Sequence, residues 1–273
     1  MKYIVYAVLT LLLALMLFFA TKAYSEAKDY ERTTKQLIDE MSAKKLAKFQ
    51  LKELAETLSL GFYKNRKKEI VKTLEKTQKI HKLQSRQYAL YAILPLAGIL
   101  LSYFFISLRA FTFFGAAGAL IMLIFGLVSP IMMVTIHKEV EYLGDVVLSF
   151  ESKGVIGSIG KLFRNGDAVV GWVILLFSVL IPFIKTFSML FVALFEHTRF
   201  AHGIVKFFKM IGKWSMVDVF VVATFLVYLT VNKGNVSRAE VEVGLYFFLA
   251  YVIISMLVSL SADRMLHQIK NKG

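Results

Sequence analysis

The sequence predicts an all-α integral membrane protein with about six transmembrane helices and a charged extramembrane helical hairpin. Hydrophobic residues make up 57% of the 273 residues and charged residues only 19%. The apolar residues are concentrated in runs of about 20, and a helix of that length crosses the ~30 Å hydrocarbon core of a bilayer. These runs lack the alternating pattern of barrel strands, so helices must satisfy the backbone hydrogen bonds in lipid.

Six apolar runs are long enough to cross a membrane, and they are Ile4–Ala20, Tyr88–Leu108, Phe111–Ile136, Ala168–Leu194, Trp214–Val231 and Val241–Leu260. We interpret the first run as an uncleaved anchor, and a signal peptide cleaved near Ala23 is the alternative. Lys and Arg are more frequent in the short segments on the side of the termini. This bias predicts that both termini are cytoplasmic.

The long segment between the first two runs is rich in Lys and Glu. Its apolar residues recur at helical spacing, which predicts two helices of roughly 22–59 and 65–106 that turn near Gly61. A solvated charged spacer is the alternative. The predicted division of the chain is an anchor (1–21), a helical hairpin outside the cytoplasmic membrane (22–87), a second span (88–109), a four-helix membrane module (110–266) and a basic cytoplasmic tail (267–273).

Residues 137–167 separate the third and fourth spans and differ in composition from both. Apolar residues from Val146 to Phe150 precede four glycines between Gly154 and Gly166. We expect a short amphipathic element at the membrane interface, followed by a turn into the fourth span.

Composition and motifs exclude several classes of function. The net charge of +14 is best explained by loops that meet anionic headgroups, because no nucleic-acid-binding motif accompanies it, and we expect no nucleic acid partner. The chain has no Cys, which excludes thiolate catalysis and Cys-ligated metal sites. Its five His residues are scattered, and no catalytic constellation or Gly-rich nucleotide loop is evident. We expect no metal, no cofactor and no enzymatic activity.

Two ionisable residues, Lys185 and Asp218, lie well inside apolar runs rather than at their ends. A charge near the centre of a membrane helix costs about 2.5–3.5 kcal/mol, so such residues usually face the interior of the bundle. On antiparallel spans, the Lys185 side chain would reach towards Asp218. Ser178 and Ser215 share the helix faces of the two charges, and Ser255 would extend the polar seam from the last span.

Two interpretations of this pair stay open. The two residues could form a buried ion pair that sets the register of two helices, or they could line a polar or protonatable path through the bundle. Pro182 removes a backbone hydrogen bond near Lys185 and is expected to kink the helix there. Trp214 is expected to be an interfacial anchor.

One stretch resembles a known family. The segment Trp214-Ser215-Met216-Val217-Asp218-Val219-Phe220 is similar to a signature of the paraquat-inducible protein A family, which includes the LetA-like inner-membrane proteins. The other matching features are Pro182-x-x-Lys185, Gly166-Asp167 at the entry to a span, and Asp263-Arg264 at the end of the last span. The resemblance covers roughly residues 110–266, one four-helix module.

The resemblance implies a protein of the bacterial inner membrane that moves a phospholipid or other lipid between the inner and outer membranes with an MCE-domain partner. It also implies that the family's polar membrane network falls on Ser178, Lys185, Ser215, Asp218 and Ser255. Larger members carry two modules and Cys-rich zinc ribbons, whereas this chain has one module and no Cys, so no zinc is expected. The alternatives are a structural or sensory platform whose hairpin binds an envelope partner, and a small-solute or ion transporter.

Overall fold

The computed structural model describes residues 2–40, 66–140, 144–195 and 237–270. Its helices are α1 (Lys2–Glu40), α2 (Arg66–Leu101), α3 (Leu108–Val128), α4 (Val155–Asn165), α5 (Ala168–Ile174), α6 (Ile181–Leu194) and α7 (Val243–Lys270). A 3₁₀ turn (Ser102–Phe104) follows α2, and a π-helical segment (Leu175–Leu180) joins α5 to α6. The strands are β1 (Met132–Val140), β2 (Gly144–Lys153) and β3 (Ser237–Val241).

Helices α1 and α2 pack against each other as an antiparallel pair. Phe19 near the middle of α1 stacks on Tyr88 of α2, and further along, Gln78 donates a hydrogen bond to Thr34 at 2.9 Å. With 39 residues, α1 is roughly 58 Å long, about twice the hydrocarbon thickness of a bilayer. The pair therefore extends well beyond the membrane. The expected turn near Gly61 lies outside the described residues, and the division of the chain into domains stays a prediction.

Helices α3 and α7 form the other closely packed pair. A side chain at Gly126 would place its Cβ 2.9 Å from the backbone nitrogen of Phe248, and one at Gly115 would meet Val258 at 2.6 Å. Small residues let two membrane helices approach this closely. The van der Waals contacts that result are among the interactions that drive helix association in lipid. Thr112 and Ser261 add a buried hydroxyl–hydroxyl hydrogen bond of 3.1 Å to this contact.

A three-stranded antiparallel sheet of order β2-β1-β3 caps one end of the bundle. The prediction that the third span continues to Ile136 is wrong, because α3 ends at Val128 and Met132 begins β1. Ser129 precedes Pro130 and is extended (φ −73°, ψ 153°), since a residue before proline is disfavoured in helical conformation. The apolar sequence continues past the helix because the central strand starts in a buried position.

The segment after the sheet contains the amphipathic element expected between the third and fourth spans. This element is α4, which ends at Asn165 and is capped by Gly166 with φ +90°, a left-handed conformation that favours glycine. The side chain of Phe163 packs on Trp172, with ring centroids 5.7 Å apart, so α4 folds back on α5. The apolar residues Val146–Phe150, by contrast, belong to β2, and their assignment to the amphipathic element is wrong.

Five helical segments within the described residues are long and apolar enough to cross a membrane: Tyr3–Glu40, Glu69–Phe104, Leu108–Val128, Ala168–Leu194 and Val243–Met265. The predicted class, an all-α integral membrane protein, is confirmed. The sixth predicted span, Trp214–Val231, lies outside the described residues. Arg109 at the start of α3 binds the carbonyl of Ala193, whereas β3 pairs with β1 beyond the end of α3. The described residues on either side of 196–236 therefore lie at opposite ends of the bundle.

Candidate functional site

The span that contains Lys185 changes helical geometry just before it. Residues Leu175–Leu180 are π-helical, and the α-helix resumes at Ile181. Pro182 has no backbone N–H and its ring clashes with the carbonyl four residues earlier in a regular α-helix. A π segment lets the chain pass this position with a different hydrogen-bond register, and such segments are frequent at functional sites. Ser178 lies within this segment and is partly buried.

Lys185 lies on the buried face of α6. Together with Pro182, Thr186 and Met189 it follows the helical repeat, and its exposed fraction is only 8%. On the opposite face of α6, Phe187 is 57% exposed, which suits a residue that contacts lipid. Because charges in membrane helices turn towards the protein interior, this position agrees with a role inside the bundle.

Thr186, beside Lys185, belongs to a buried hydrogen-bonded cluster that joins α6 to α7. Thr186 donates to the carbonyl of Pro182 at 2.8 Å, and the hydroxyl of Tyr251 donates to the same carbonyl at 3.2 Å. The two hydroxyl oxygens are 3.3 Å apart. Ser255 lies one turn after Tyr251 on α7 and is also buried. We call Pro182, Lys185, Thr186, Tyr251 and Ser255 the membrane polar cluster.

The other expected site residues fall into two groups: three lie outside the described residues, and two lie further along α7. Asp218, Ser215 and Trp214 lie outside the described residues, so the proposed pairing of Asp218 with Lys185 stays a prediction. Asp263 and Arg264 belong to the last turns of α7, roughly 12 Å along the helix from Ser255. They are therefore separate from the membrane polar cluster.

Two grooves open between helices at the end of the bundle opposite the sheet. One, of about 260 Å³, is lined by Leu100, Tyr103, Phe111 and Leu260 and has Arg264 at its edge, where the guanidinium donates to the Tyr103 hydroxyl at 2.6 Å. The other, of about 420 Å³, has Arg109 at its edge and apolar walls that include Tyr6, Phe113, Phe114 and Leu194. An apolar groove beside an arginine suits an acyl chain with an anionic headgroup.

A second polar group, not anticipated from the sequence, lies where β3 leads into α7. The Glu240 carboxylate accepts hydrogen bonds from Lys82 of α2 and, at 3.2 Å, from Tyr30 of α1. Burial alone would raise the pKa of Glu240, but the hydrogen bond and charge of Lys82 outweigh it and hold the pKa below its ordinary value. These contacts attach the helical pair to the sheet.

Glu242 lies two residues further on and is only 1% exposed. Burial raises the pKa of this carboxyl to about 7, against the opposing positive charge of Arg86. Arg86 itself donates a long hydrogen bond of 3.5 Å to the carbonyl of Val241. The sequence offered one signal for this group: Glu240 stands directly before the last apolar run and Glu242 is the second residue of that run, at an end where charges are usually solvated.

Within the described residues, no group of three or more His, Asp or Glu side chains is arranged to hold a metal ion. The structure brings together instead hydroxyls, a lysine and backbone carbonyls within the bundle, and an acid–base group at the sheet. Such sites can bind polar headgroups or move protons.

Comparison with known proteins identifies the membrane module. Residues 110–269 match the model of the family described as "Paraquat-inducible protein A". Over 115 residues, the chain is 28% identical to a curated protein of Haemophilus influenzae (strain ATCC 51907 / DSM 11121 / KW20 / Rd) described as a "Probable intermembrane transport protein". That alignment covers 40% of this chain and 27% of the relative, so the chain spans about a quarter of the relative's length.

No solved structure matches the chain. The family match includes α3, the sheet, the span with Lys185 and α7, and it leaves out α1 and α2. It confirms the resemblance drawn from the motifs around Pro182 and Asp218. This multi-pass membrane protein belongs to the paraquat-inducible protein A family.

Proposed function

We propose that the protein is a non-enzymatic inner-membrane component of a system that moves lipid between the inner and outer membranes of a bacterium. The observation that carries this proposal is the burial of Lys185 beside the hydrogen-bonded hydroxyls of Thr186 and Tyr251, within a span that is otherwise apolar. A polar group of this kind is costly in lipid and is usually retained for function.

Three further observations support lipid as the transported molecule. The chain belongs to the paraquat-inducible protein A family, and it is similar to a protein described as a probable intermembrane transport protein. Both grooves are mainly apolar, as an acyl chain requires, and each has an arginine that suits a phosphate. We further propose that both termini are cytoplasmic, that the sheet and helical pair face the outer side, and that an MCE-domain protein is the partner.

The polar path would consist of Ser178, Lys185, Ser215, Asp218 and Ser255, joined by Thr186 and Tyr251. In this mechanism, Lys185 exchanges its pairing with Asp218 for contact with a passing anionic headgroup. The apolar grooves hold the acyl chains while the hydroxyls maintain the polar contacts inside the bundle.

The test is complementation of a deletion strain in an envelope-integrity assay. Lys185→Met and Asp218→Asn should give membrane-inserted, monodisperse protein that fails to restore integrity. Lys72→Met is the matched control, because Lys72 is exposed on α2 and should complement fully. Full complementation by both site variants would refute the polar path.

Phospholipid retained through purification and identified by mass spectrometry would support lipid transfer. Uptake of a small solute by reconstituted vesicles, with no retained lipid, would favour the transporter alternative. Co-purification from native membranes tests the MCE-domain partner directly, and failure to recover one after mild crosslinking would contradict that part of the proposal.

The length of α1 favours one second candidate, a platform whose helical pair binds an envelope protein. About half of this helix extends beyond the bilayer, more than an anchor needs. Replacing residues 41–65 by a Gly/Ser linker should abolish function under this alternative. Under the lipid-transfer proposal, that variant should retain function and the Lys185 variant should lose it.

A further inference from the structure

The buried polar atoms that lack a hydrogen-bond partner are concentrated in one place. Within the described parts of the chain, these atoms are Arg86 Nε, Ser129 Oγ and both carboxyl oxygens of Glu242. Buried polar groups are nearly always paired, so several unpaired ones together need an explanation.

These three residues surround the start of α7. The backbone N–H of Glu242 donates to Ile131 at 2.8 Å, and that of Gly244 donates to Pro130 at 2.9 Å, so the strand-to-helix turn lies against the end of α3, where Ser129 is. Arg86 reaches the same turn from α2 through the carbonyl of Val241. We call Arg86, Ser129 and Glu242 the junction.

The charges around the junction decide which ligand it can take. Glu242 is faced by Lys82 and Arg86 of α2, by Glu240 of β3 and by Tyr30 of α1. The side chain of Ser129 reaches the junction from the end of α3. A metal cation would meet two cationic side chains, and an anion would meet two carboxyl groups. A proton needs no coordination shell. By binding to Glu242 it neutralises a buried carboxylate whose oxygens have no hydrogen-bond partner.

We propose that the junction is a proton-binding site, in which Glu242 takes up and releases a proton and Arg86 compensates the ionised form. When the carboxyl is protonated, it is neutral and tolerates its buried position. When the proton leaves to water, the buried carboxylate needs a counter-charge. Arg86, whose Nε lacks a partner, is the cation whose charge acts most strongly on Glu242. The raised pKa of Glu242, about 7, puts both forms within reach at neutral pH.

Proton exchange at Glu242 links a part of the molecule inside the family match to a part outside it. Arg86 belongs to α2, which lies outside the matched residues, whereas Glu242 precedes the span that carries Tyr251 and Ser255. Ionisation draws the guanidinium from Val241 towards Glu242 and so ties α2 to the start of α7. This site does not depend on lipid transport, and its test does not require a transported substrate.

The experiment is infrared difference spectroscopy of the full chain in phosphatidylcholine vesicles between about pH 5 and pH 9. The wild-type protein should show the carbonyl stretch of a protonated carboxylic acid, which disappears as the pH rises through neutrality. Glu242→Gln should lose this band. Glu240→Gln should retain it, as should His81→Gln, which removes the neighbouring His81–Glu26 pair of 2.7 Å.

Arg86→Gln tests the counter-charge. Without the guanidinium the ionised form loses its compensation, so the midpoint of the band should rise by about one pH unit, a tenfold change in proton affinity. An unchanged titration in Glu242→Gln, or a wild-type spectrum without the band over the whole range, would overturn the proton site. An unchanged midpoint in Arg86→Gln would overturn the role of Arg86. This last variant leaves Glu242 intact, so the test holds even if Glu242→Gln fails to fold.

Discussion

The stability of the protein should fall as the pH rises through neutrality, and Glu242 should be the cause. Its pKa is raised from an ordinary 4.5 to about 7 in the folded protein. The folded state therefore binds this proton more tightly than the unfolded state. The resulting stabilisation is complete below the ordinary pKa and is lost as the pH rises through the folded value.

The magnitude follows from the difference between the two values. The difference is about 2.5 pH units, and each unit corresponds to 1.36 kcal/mol, so the full loss is about 3 kcal/mol. The pKa of Glu240 is lowered, so its contribution has the opposite sign and is lost only as the pH falls below the ordinary range of a carboxyl. Measurements from about pH 5 to pH 8 therefore separate Glu242 from Glu240, and comparison with Glu242→Gln removes the contribution of the histidines, which titrate in the same range.

The assay is unfolding of the purified chain by added dodecyl sulfate in mixed micelles, followed by circular dichroism at a series of pH values. The wild-type free energy of unfolding should decrease over this range, and Glu242→Gln should remove most of the slope, since glutamine cannot ionise. The control Glu26→Gln, on the adjacent His81 pair, should leave the slope in place. A wild-type stability that is constant or rising with pH would refute the reasoning.

Three substitutions test the packing and the membrane polar cluster. Tyr251→Phe should cost only about 0.6 kcal/mol of stability, typical for a hydrogen bond between membrane helices, yet reduce complementation strongly; an equal loss in a helix-packing control would contradict a functional role. Gly126→Ala should destabilise the protein by about 1–3 kcal/mol in chemical unfolding, because the new Cβ meets the backbone of Phe248. The control Gly157→Ala on α4 has open space around its Cβ and should be neutral or stabilising. Arg109→Gln should lower the thermal unfolding temperature, because two hydrogen bonds of 2.9 and 3.0 Å to the carbonyls that end α6 are lost; an unchanged temperature would show that these bonds contribute nothing.

The apolar runs predicted the spans because membrane helices have few alternatives in lipid. The same argument failed where the run after Val128 left the helix, since hydropathy does not distinguish a buried strand from a span. Ser129-Pro130 was the local signal for the helix end, because a residue before proline is disfavoured in helical conformation. The sheet was missed because β1 pairs with β3 across a sequence separation that no short-range pattern reveals.

The candidate site was predicted in part. The sequence singled out Pro182 and Lys185, and the structure shows that both are buried. The family match confirms the resemblance, and the role of these residues stays a prediction. Thr186 and Tyr251 were missed because a threonine and a tyrosine in an apolar run are ordinary residues until their hydroxyls are seen to meet. Glu242 was missed because its burial depends on α2, whose packing cannot be read from residues near Glu242.

The pairing of β3 with β1 has a consequence for biogenesis. During synthesis, β1 and β2 emerge long before Ser237–Val241, so one edge of β1 remains open until the later strand reaches the same face of the membrane. Closing the sheet thus requires that Ser237–Val241 lie on the same side of the bundle as β1. A fragment ending before Ser237 would keep that edge exposed as a template for pairing with another chain, and we expect it to aggregate more readily than the full chain.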